Sequence, residues 1–284
     1  MKNDHYISLN GSLVKGSEAI VTPENRGMMY GDGCFETLKS YKSRFLKWED
    51  HMDRLKGGLT YLDLEMPVKS DELKKEVKNV IEANHLLDDE AMVRIQFWRE
   101  GGRGYKSTSK TSFRMIQVSK YDRSTAPLDL MTAQTRCIPS EALERRYKLS
   151  NGLNYIKAAQ EANKSQKDDA VMLTVNGFVS ETTIANLFWI KGDEVYTPSE
   201  NCDILPGITR GIIIDLLGKM GHPIKIGQFE PDSLYEATAV FCTNSLIEIQ
   251  EVHSIDEAIF KTGDPLIQEL KKAFQNYKDE HLKP

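Results

Sequence analysis

A chain of 284 residues with 40% hydrophobic and 28% charged side chains can bury a large core and reads as one or two ordinary globular domains. A formal net charge of −5 without a long basic run argues against nucleic acid as a partner. The most apolar stretch, Gly211-Ile212-Ile213-Ile214-Asp215-Leu216-Leu217, is too short to span a bilayer, and Met1-Lys2-Asn3-Asp4-His5-Tyr6 lacks the apolar core of a signal peptide, so a cytoplasmic location without membrane contact is expected.

Along the chain, Tyr6-Ile7-Ser8-Leu9 alternates as a strand and runs into an Asn10-Gly11 turn. Residues 34–41 and 44–48 predict a hairpin about Lys42-Ser43. Residues 48–62 predict a helix with Met52, Leu55 and Leu59 on one face, weakened by Gly57-Gly58 in its middle. A better helix is predicted over 70–87, with Ser70 as cap, Asp71 and Glu72 in the first turn, and Leu73, Val77, Val80 and Ile81 as an apolar stripe. Strands over 91–98 and 112–119 flank the loop Glu100-Gly101-Gly102-Arg103-Gly104-Tyr105. The polar, proline-bearing stretch 121–127 is the expected boundary between a small N-terminal α+β domain, 1–120, and a larger C-terminal domain, 128–284. Beyond it, 128–136, 170–174, 178–180, 185–191 and 237–242 predict strands, with Asn176-Gly177 as a turn. Residues 153–165, 209–220 and 264–277 predict helices, and this interleaving points to a mixed α/β (α+β) fold rather than a regular doubly wound sheet. Cys34, Cys137, Cys202 and Cys242 form no Cys-x-x-Cys pair and the six histidines are scattered, so neither a disulfide framework nor a metal site is expected.

Four segments invite a chemical reading. Leu205-Pro206-Gly207-Ile208-Thr209-Arg210 turns into a helix, and a glycine turn at a helix N-terminus presents unpaired N–H groups and the positive end of the dipole to a phosphate. The same residues equally describe a plain helix start capped by Thr209. Tyr30-Gly31-Asp32-Gly33-Cys34-Phe35-Glu36 is not a dinucleotide fingerprint, because Glu36 stands where the third glycine belongs and a strand follows; it also reads as a tight turn. Gly101-Gly102-Arg103-Gly104 lacks the ending of a P-loop. Arg103 at a hairpin tip suits a bidentate grip on a carboxylate, or is an exposed turn arginine. In residues 179–189 a single acid, Glu181, precedes a small polar run and an apolar strand; alone it is an ordinary surface glutamate, as Lys148 is one lysine among many.

Their order carries more. Lys148-Leu149-Ser150-Asn151, Gln160-Glu161-Ala162, Asp169-Ala170, Gly177-Phe178-Val179-Ser180-Glu181, Asn186-Leu187-Phe188, Tyr196-Thr197-Pro198 and Ile204-Leu205-Pro206-Gly207-Ile208-Thr209-Arg210 follow one another. Together they resemble the class IV aminotransferase family. These fold-type IV enzymes of pyridoxal 5′-phosphate (PLP) include branched-chain and D-amino acid aminotransferases and 4-amino-4-deoxychorismate lyases. The resemblance runs over residues 9–252. It implies two domains with PLP in the cleft between them, the lysine being carried by the C-terminal one. It further implies a homodimer whose neighbour contributes residues near the pocket mouth.

By this resemblance Lys148 corresponds to the Schiff-base lysine and Glu181 to the acid facing the pyridine nitrogen. Gly207, Ile208 and Thr209 correspond to the phosphate-binding turn, Asn244 and Ser245 to a second phosphate contact, and Arg54 to the arginine that pairs with the phosphate. Tyr30, Glu36, Arg103 and Tyr105 are read as substrate contacts. The implied reaction moves an amino group between an amino acid, of branched-chain or D-type, and a 2-oxo acid. Two departures matter: Phe35-Glu36-Thr37 replaces the Phe-Glu-Gly of branched-chain enzymes, and Arg103-Gly104-Tyr105 replaces the Arg-x-His of D-amino acid enzymes. Gly31-Asp32-Gly33-Cys34-Phe35, Gly102-Arg103-Gly104-Tyr105 and Thr243-Asn244-Ser245 also resemble the lyase branch. A 4-amino-4-deoxychorismate lyase releasing pyruvate and 4-aminobenzoate is therefore the alternative, and a non-catalytic module binding a phosphate-bearing ligand a distant one.

Overall fold

The computed structural model describes residues 5–283, so the Met1-Lys2-Asn3-Asp4 part of the N-terminal reading lies outside the described residues. Two compact units emerge, one holding residues up to Asp122 together with Tyr147–Asn151, the other holding Arg123–Arg146 and the chain from Gly152 onward. Among the described residues, no helix is long and apolar enough to cross a membrane.

The first unit comprises β1 (Tyr6–Leu9), β2 (Ser12–Lys15), α1 (Arg26–Tyr30), β3 (Gly33–Tyr41), β4 (Arg44–Phe45), α2 (Trp48–Tyr61), α3 (Ser70–Ala83), β5 (Glu90–Arg99) and β6 (Ser112–Lys120). Its antiparallel sheet has the order β2-β1-β6-β5-β3-β4. Asn10 and Gly11 have φ of 52° and 89°, the double left-handed conformation that a two-residue hairpin with the right twist demands. Alternation along the strands sorts their side chains. Leu38, Val93, Ile95, Phe97 and Ile116 share the core with the α3 stripe Leu73, Val77, Val80 and Ile81, all at most 1% exposed. Phe35, Thr37, Arg94 and Gln96 occupy the alternate positions and are only half-buried.

α3 departs from expectation at both ends. Ser70 does not cap it; Lys69 is the N-cap, and the Ser70 hydroxyl accepts from Trp48 Nε1 (2.9 Å) and donates to Glu49 (3.1 Å). The helix stops four residues short of Leu87 because the Asn84 side chain donates to the carbonyls of Val80 (2.7 Å) and Tyr6 (2.8 Å), stitching β1 to the helix end.

The second unit comprises β7 (Leu128–Thr132), α4 (Leu153–Lys164), β8 (Asp169–Leu173), β9 (Val179–Thr182), β10 (Asn186–Lys191), β11 (Glu194–Pro198), α5 (Ile208–Lys219), β12 (Ile224–Gly227), α6 (Pro231–Tyr235), β13 (Ala239–Asn244), β14 (Glu248–Ile255), β15 (Ala258–Ile259) and α7 (Pro265–His281). Its mixed sheet has the order β12-β11-β10-β13-β14-β7-β8-β9, with β15 on β14. Leu130, Val171, Leu187, Trp189, Val240, Val252 and Ile255 form the core on one face. β7 ends at Thr132, not 136, because the Thr132 N–H (3.0 Å) and hydroxyl (2.6 Å) both go to Asp256. β14 escapes a pattern search because Glu248 and Glu251 are buried in it, paired with Lys278 (2.8 Å) and Lys271 (2.5 Å) from α7.

Tyr147–Asn151, expected with the C-terminal domain, joins the first unit instead. The reason is backbone pairing: the Phe35 N–H donates to the Lys148 carbonyl and the Ser150 N–H to the Gly33 carbonyl, each at 2.9 Å.

Candidate functional site

In the first unit the lysine segment is held by β3 and α2. Leu149 forms an isolated antiparallel bridge with Cys34, beside the start of β3. A Cβ on Gly57 would lie 2.4 Å from the Tyr147 ring, and one on Gly58 3.3 Å from Cys34. The glycines that weaken the helix signal thus let α2 approach the residue preceding Lys148. The Lys148 ammonium lies 5.0 Å from the centroid of the Phe35 ring, and the Arg94 guanidinium 3.7 Å from the same centroid. Two cations and Thr37, next but one after Phe35 on the same face of β3, are thereby gathered on the half-buried side of the sheet.

Arg54 and Glu36 meet, but not as expected. Glu36 has no exposed surface and points to the α2 side, where its carboxylate accepts from Arg54 Nε (2.6 Å) and Nη2 (2.8 Å) and pairs with His51 Nδ1 (2.8 Å). Burial alone would raise the Glu36 carboxyl, but the charge and hydrogen bonds of Arg54, with those of His51, hold it down at about 2. Glu36 is therefore corrected from substrate contact to the carboxylate that orients Arg54, because β-alternation turns it away from the Phe35 side.

Tyr30, Arg103 and Tyr105 lie near one another. The Tyr30 hydroxyl accepts from the Gly104 N–H (2.9 Å), and the Tyr30 and Tyr105 ring centroids are 5.4 Å apart. Arg103 is exposed and Tyr105 is 90% exposed, so both side chains are open to a ligand. The Tyr30 carbonyl accepts from Asn151 Nδ2 (3.2 Å), linking this group to the lysine segment.

In the second unit, Glu181 on β9 is 4% exposed and surrounded by donors. Its Oε1 accepts from the Tyr155 hydroxyl (2.7 Å) and pairs with Arg145 (3.6 Å). Its Oε2 accepts from Asn186 Nδ2 (3.1 Å) and the Leu205 N–H (3.0 Å). This is a buried anion with fixed orientation. Asn186 Nδ2 also donates to the Leu205 carbonyl (2.8 Å), which fixes the turn into α5. Gly207 is the N-cap of α5, and a Cβ there would strike Asn186 Oδ1 at 2.1 Å, so only glycine fits. The N–H groups of the first turn, at Ile208 and Thr209, have no acceptor within the helix. Thr209 is the second helical residue, not the cap. Thr243 is paired in register with Asn186, and its buried hydroxyl has no partner among the described residues.

Asn244 and Ser245 are brought to this same strand end, but the Asn244 side chain is committed. It donates to the Ile184 carbonyl (3.0 Å) and accepts from the N–H groups of Leu246 and Ile247, both at 2.8 Å. It closes the turn into β14.

Sequence reasoning missed Arg94, Tyr155 and Arg145. Arg145 immediately precedes Arg146 and lies three residues before Lys148, a basic run that was a usable signal. Tyr155 had none, because its partner Glu181 is 26 residues away.

The model of the family described as amino-transferase class IV matches residues 33–255. An aminodeoxychorismate lyase of Bacillus subtilis is 28% identical over 88% of this chain and 87% of its own length. A putative branched-chain-amino-acid aminotransferase of Methanocaldococcus jannaschii is 29% identical over 95% of each. Among solved structures, a branched-chain aminotransferase of Thermoproteus uzoniensis with norvaline matches with a TM-score of 0.90 at 25% identity, over 96% of this chain and 94% of that one. The expected mixed α/β fold of these enzymes is thereby borne out.

Proposed function

Because the chain belongs to the class IV aminotransferase family, we propose that it is a PLP-dependent aminotransferase moving an amino group between an amino acid, of branched-chain or D-type, and a 2-oxo acid. The observation that carries this reading is the pairing, within one unit, of a buried anion with an anion-binding turn: Asn186 Nδ2 bonds both Glu181 (3.1 Å) and the Leu205 carbonyl (2.8 Å) at the start of α5. A molecule with a basic ring nitrogen at one end and a phosphate at the other needs those two poles. The unpartnered hydroxyl of Thr243 beside Asn186 adds a further donor, so the residues fit PLP.

When bound, PLP supplies an aldehyde and a protonated ring that accepts electrons from the substrate α-carbon. Lys148 Nζ is the amine that would hold the cofactor through its aldehyde, with loss of water, and, once released by the substrate amine, would move the proton at the substrate α-carbon. Glu181 would keep a proton on the ring nitrogen, and Tyr155, Arg145 and Asn186 keep Glu181 oriented. The N–H groups of Ile208 and Thr209 at the Gly207 turn, the Ser245 turn and Arg54 hold the phosphate. Tyr30, Arg103 and Tyr105 bind the substrate, Arg103 by its carboxylate.

We expect Lys148→Ala to remove the visible absorbance of the bound cofactor and to lower turnover by at least about a thousandfold; retention of both would end this assignment. The enzyme is proposed to act in the cytoplasm as a homodimer of the 32.3 kDa chain. Sedimentation at twice the chain mass checks the homodimer.

A second reading is favoured by a specific residue. Thr37 stands where branched-chain enzymes carry glycine, its position is on the Lys148 side of β3, and the lyase relative matches over most of both chains. An aminodeoxychorismate lyase would release pyruvate from aminodeoxychorismate and form no 2-oxo acid from any single amino acid. A screen of amino donors against a 2-oxo acid acceptor separates the two.

A further inference from the structure

Resting on the reading of Arg103 as the substrate's carboxylate contact, we propose that Arg26 is a positioning residue: it latches the turn at 102–104 and so sets how Arg103 meets the substrate. Arg26 is 4% exposed although it begins a five-residue helix at the surface. Its Nη1 donates to the carbonyls of Gly102 (2.8 Å) and Gly104 (2.7 Å), the residues on either side of Arg103. Its Nε donates to Asp32 Oδ2 (2.8 Å), and the same oxygen accepts from Arg99 Nε (3.0 Å). Arg99 is in turn fixed at the carbonyls of Leu62, Asp63 and Ser109, on the body of the unit. An arginine–aspartate–arginine relay thus runs from that body to the loop tip.

The loop needs such a tether. Gly101 and Gly104 have φ of +121° and +94°, and a Cβ on Gly104 would meet nothing within 4 Å, so the backbone around Arg103 has little of its own to select one shape. The planar guanidinium can hold two carbonyls and a carboxylate at once, whereas an ammonium on a flexible stem cannot do so with fixed direction. Tyr30 adds a second hold, accepting from the Gly104 N–H (2.9 Å), and the Arg26 guanidinium lies 5.0 Å from its ring centroid. Because Tyr30 also bonds Asn151, the latch connects the loop to the segment that carries Lys148.

The test compares the holoenzyme with Arg26→Gln, Arg103→Ala and the double variant. Tryptic cleavage after Arg103, read by mass spectrometry as the 1–103 fragment, should be about tenfold faster in Arg26→Gln, because local opening governs access. The KM for the 2-oxo acid should rise about tenfold with kcat changed less than about twofold, the signature of lost uniform binding. In the Arg103→Ala background, Arg26→Gln should raise KM no further, which a merely structural arginine would not obey. Unchanged cleavage, or an undiminished rise in KM in the Arg103→Ala background, overturns the proposal. Should Arg26→Gln fail to fold, Arg26→Lys replaces it, keeping the charge while losing the fork. If the wild type transaminates no amino acid, the reading of Arg103 fails by itself, and the cleavage rates still decide whether Arg26 holds the turn.

Discussion

A carboxylate without exposed surface, set between an arginine and a histidine, keeps its hydrogen bonds only while ionised, and Glu36 is in this position. Its folded-state value of about 2 lies below the ordinary 4.5. The stabilisation is therefore fully present above the ordinary value and is lost as pH falls through the folded one. It amounts to about 3 kcal/mol, and Glu36→Gln should cost a similar amount in a urea melt at pH 7 while flattening the acid limb between the two values. An unchanged acid limb would show that Glu36 does not carry the ionisation. At Glu181, Tyr155→Phe removes a donor to Oε1 and should weaken cofactor binding by about 1 kcal/mol, read by spectroscopic titration. The thiols make a separate statement. Burial, with the nearby carboxylates of Glu36 and Glu181 respectively, pushes Cys34 and Cys137 up to about 12, so they stay protonated and unreactive. The native enzyme should resist alkylation at both near neutral pH; rapid labelling by iodoacetamide would contradict their burial.

Two helices are shaped by what must pass close to them. In α2, alanine would ordinarily be a better helix former than glycine by about 1 kcal/mol. At Gly57 the sign reverses, because the added methyl would sit 2.4 Å from the Tyr147 ring. Gly57→Ala should lower stability by about 1–3 kcal/mol and disturb the seat of Lys148, whereas Gly218→Ala in α5, where nothing lies within 4 Å, should stabilise. Thermal melts of the pair decide this. In α5, Gly207 is required by the close approach of Asn186, so its substitution acts on the turn into α5 and on Glu181 through one side chain.

For the whole molecule, the decisive feature is that the chain leaves the first unit at Asp122 and returns to it for Tyr147–Asn151. A fragment ending at Asp122 lacks the carbonyl that the Phe35 N–H uses and the ring that packs on Gly57. Such a fragment should melt without cooperativity by circular dichroism, and appending 147–151 through a flexible linker should restore a transition. Equal melts for the two would remove this segment from the fold of the unit.

Elements with a clear period, such as β5, β6, α3 and the Asn10-Gly11 hairpin, were legible because local propensity and pattern agreed with the fold. The ordered run from Lys148 to Arg210 likewise placed the chain in its family. What the sequence could not determine was direction and partnership. Glu36, read as a substrate contact, turns to the α2 side to meet Arg54, and Arg26, Arg94 and Tyr155 carried no pattern at all. Each of these depends on hydrogen bonds or packing between residues distant in the chain. Spacing reports which face a side chain takes within one element; only the packing of elements fixes what that face meets.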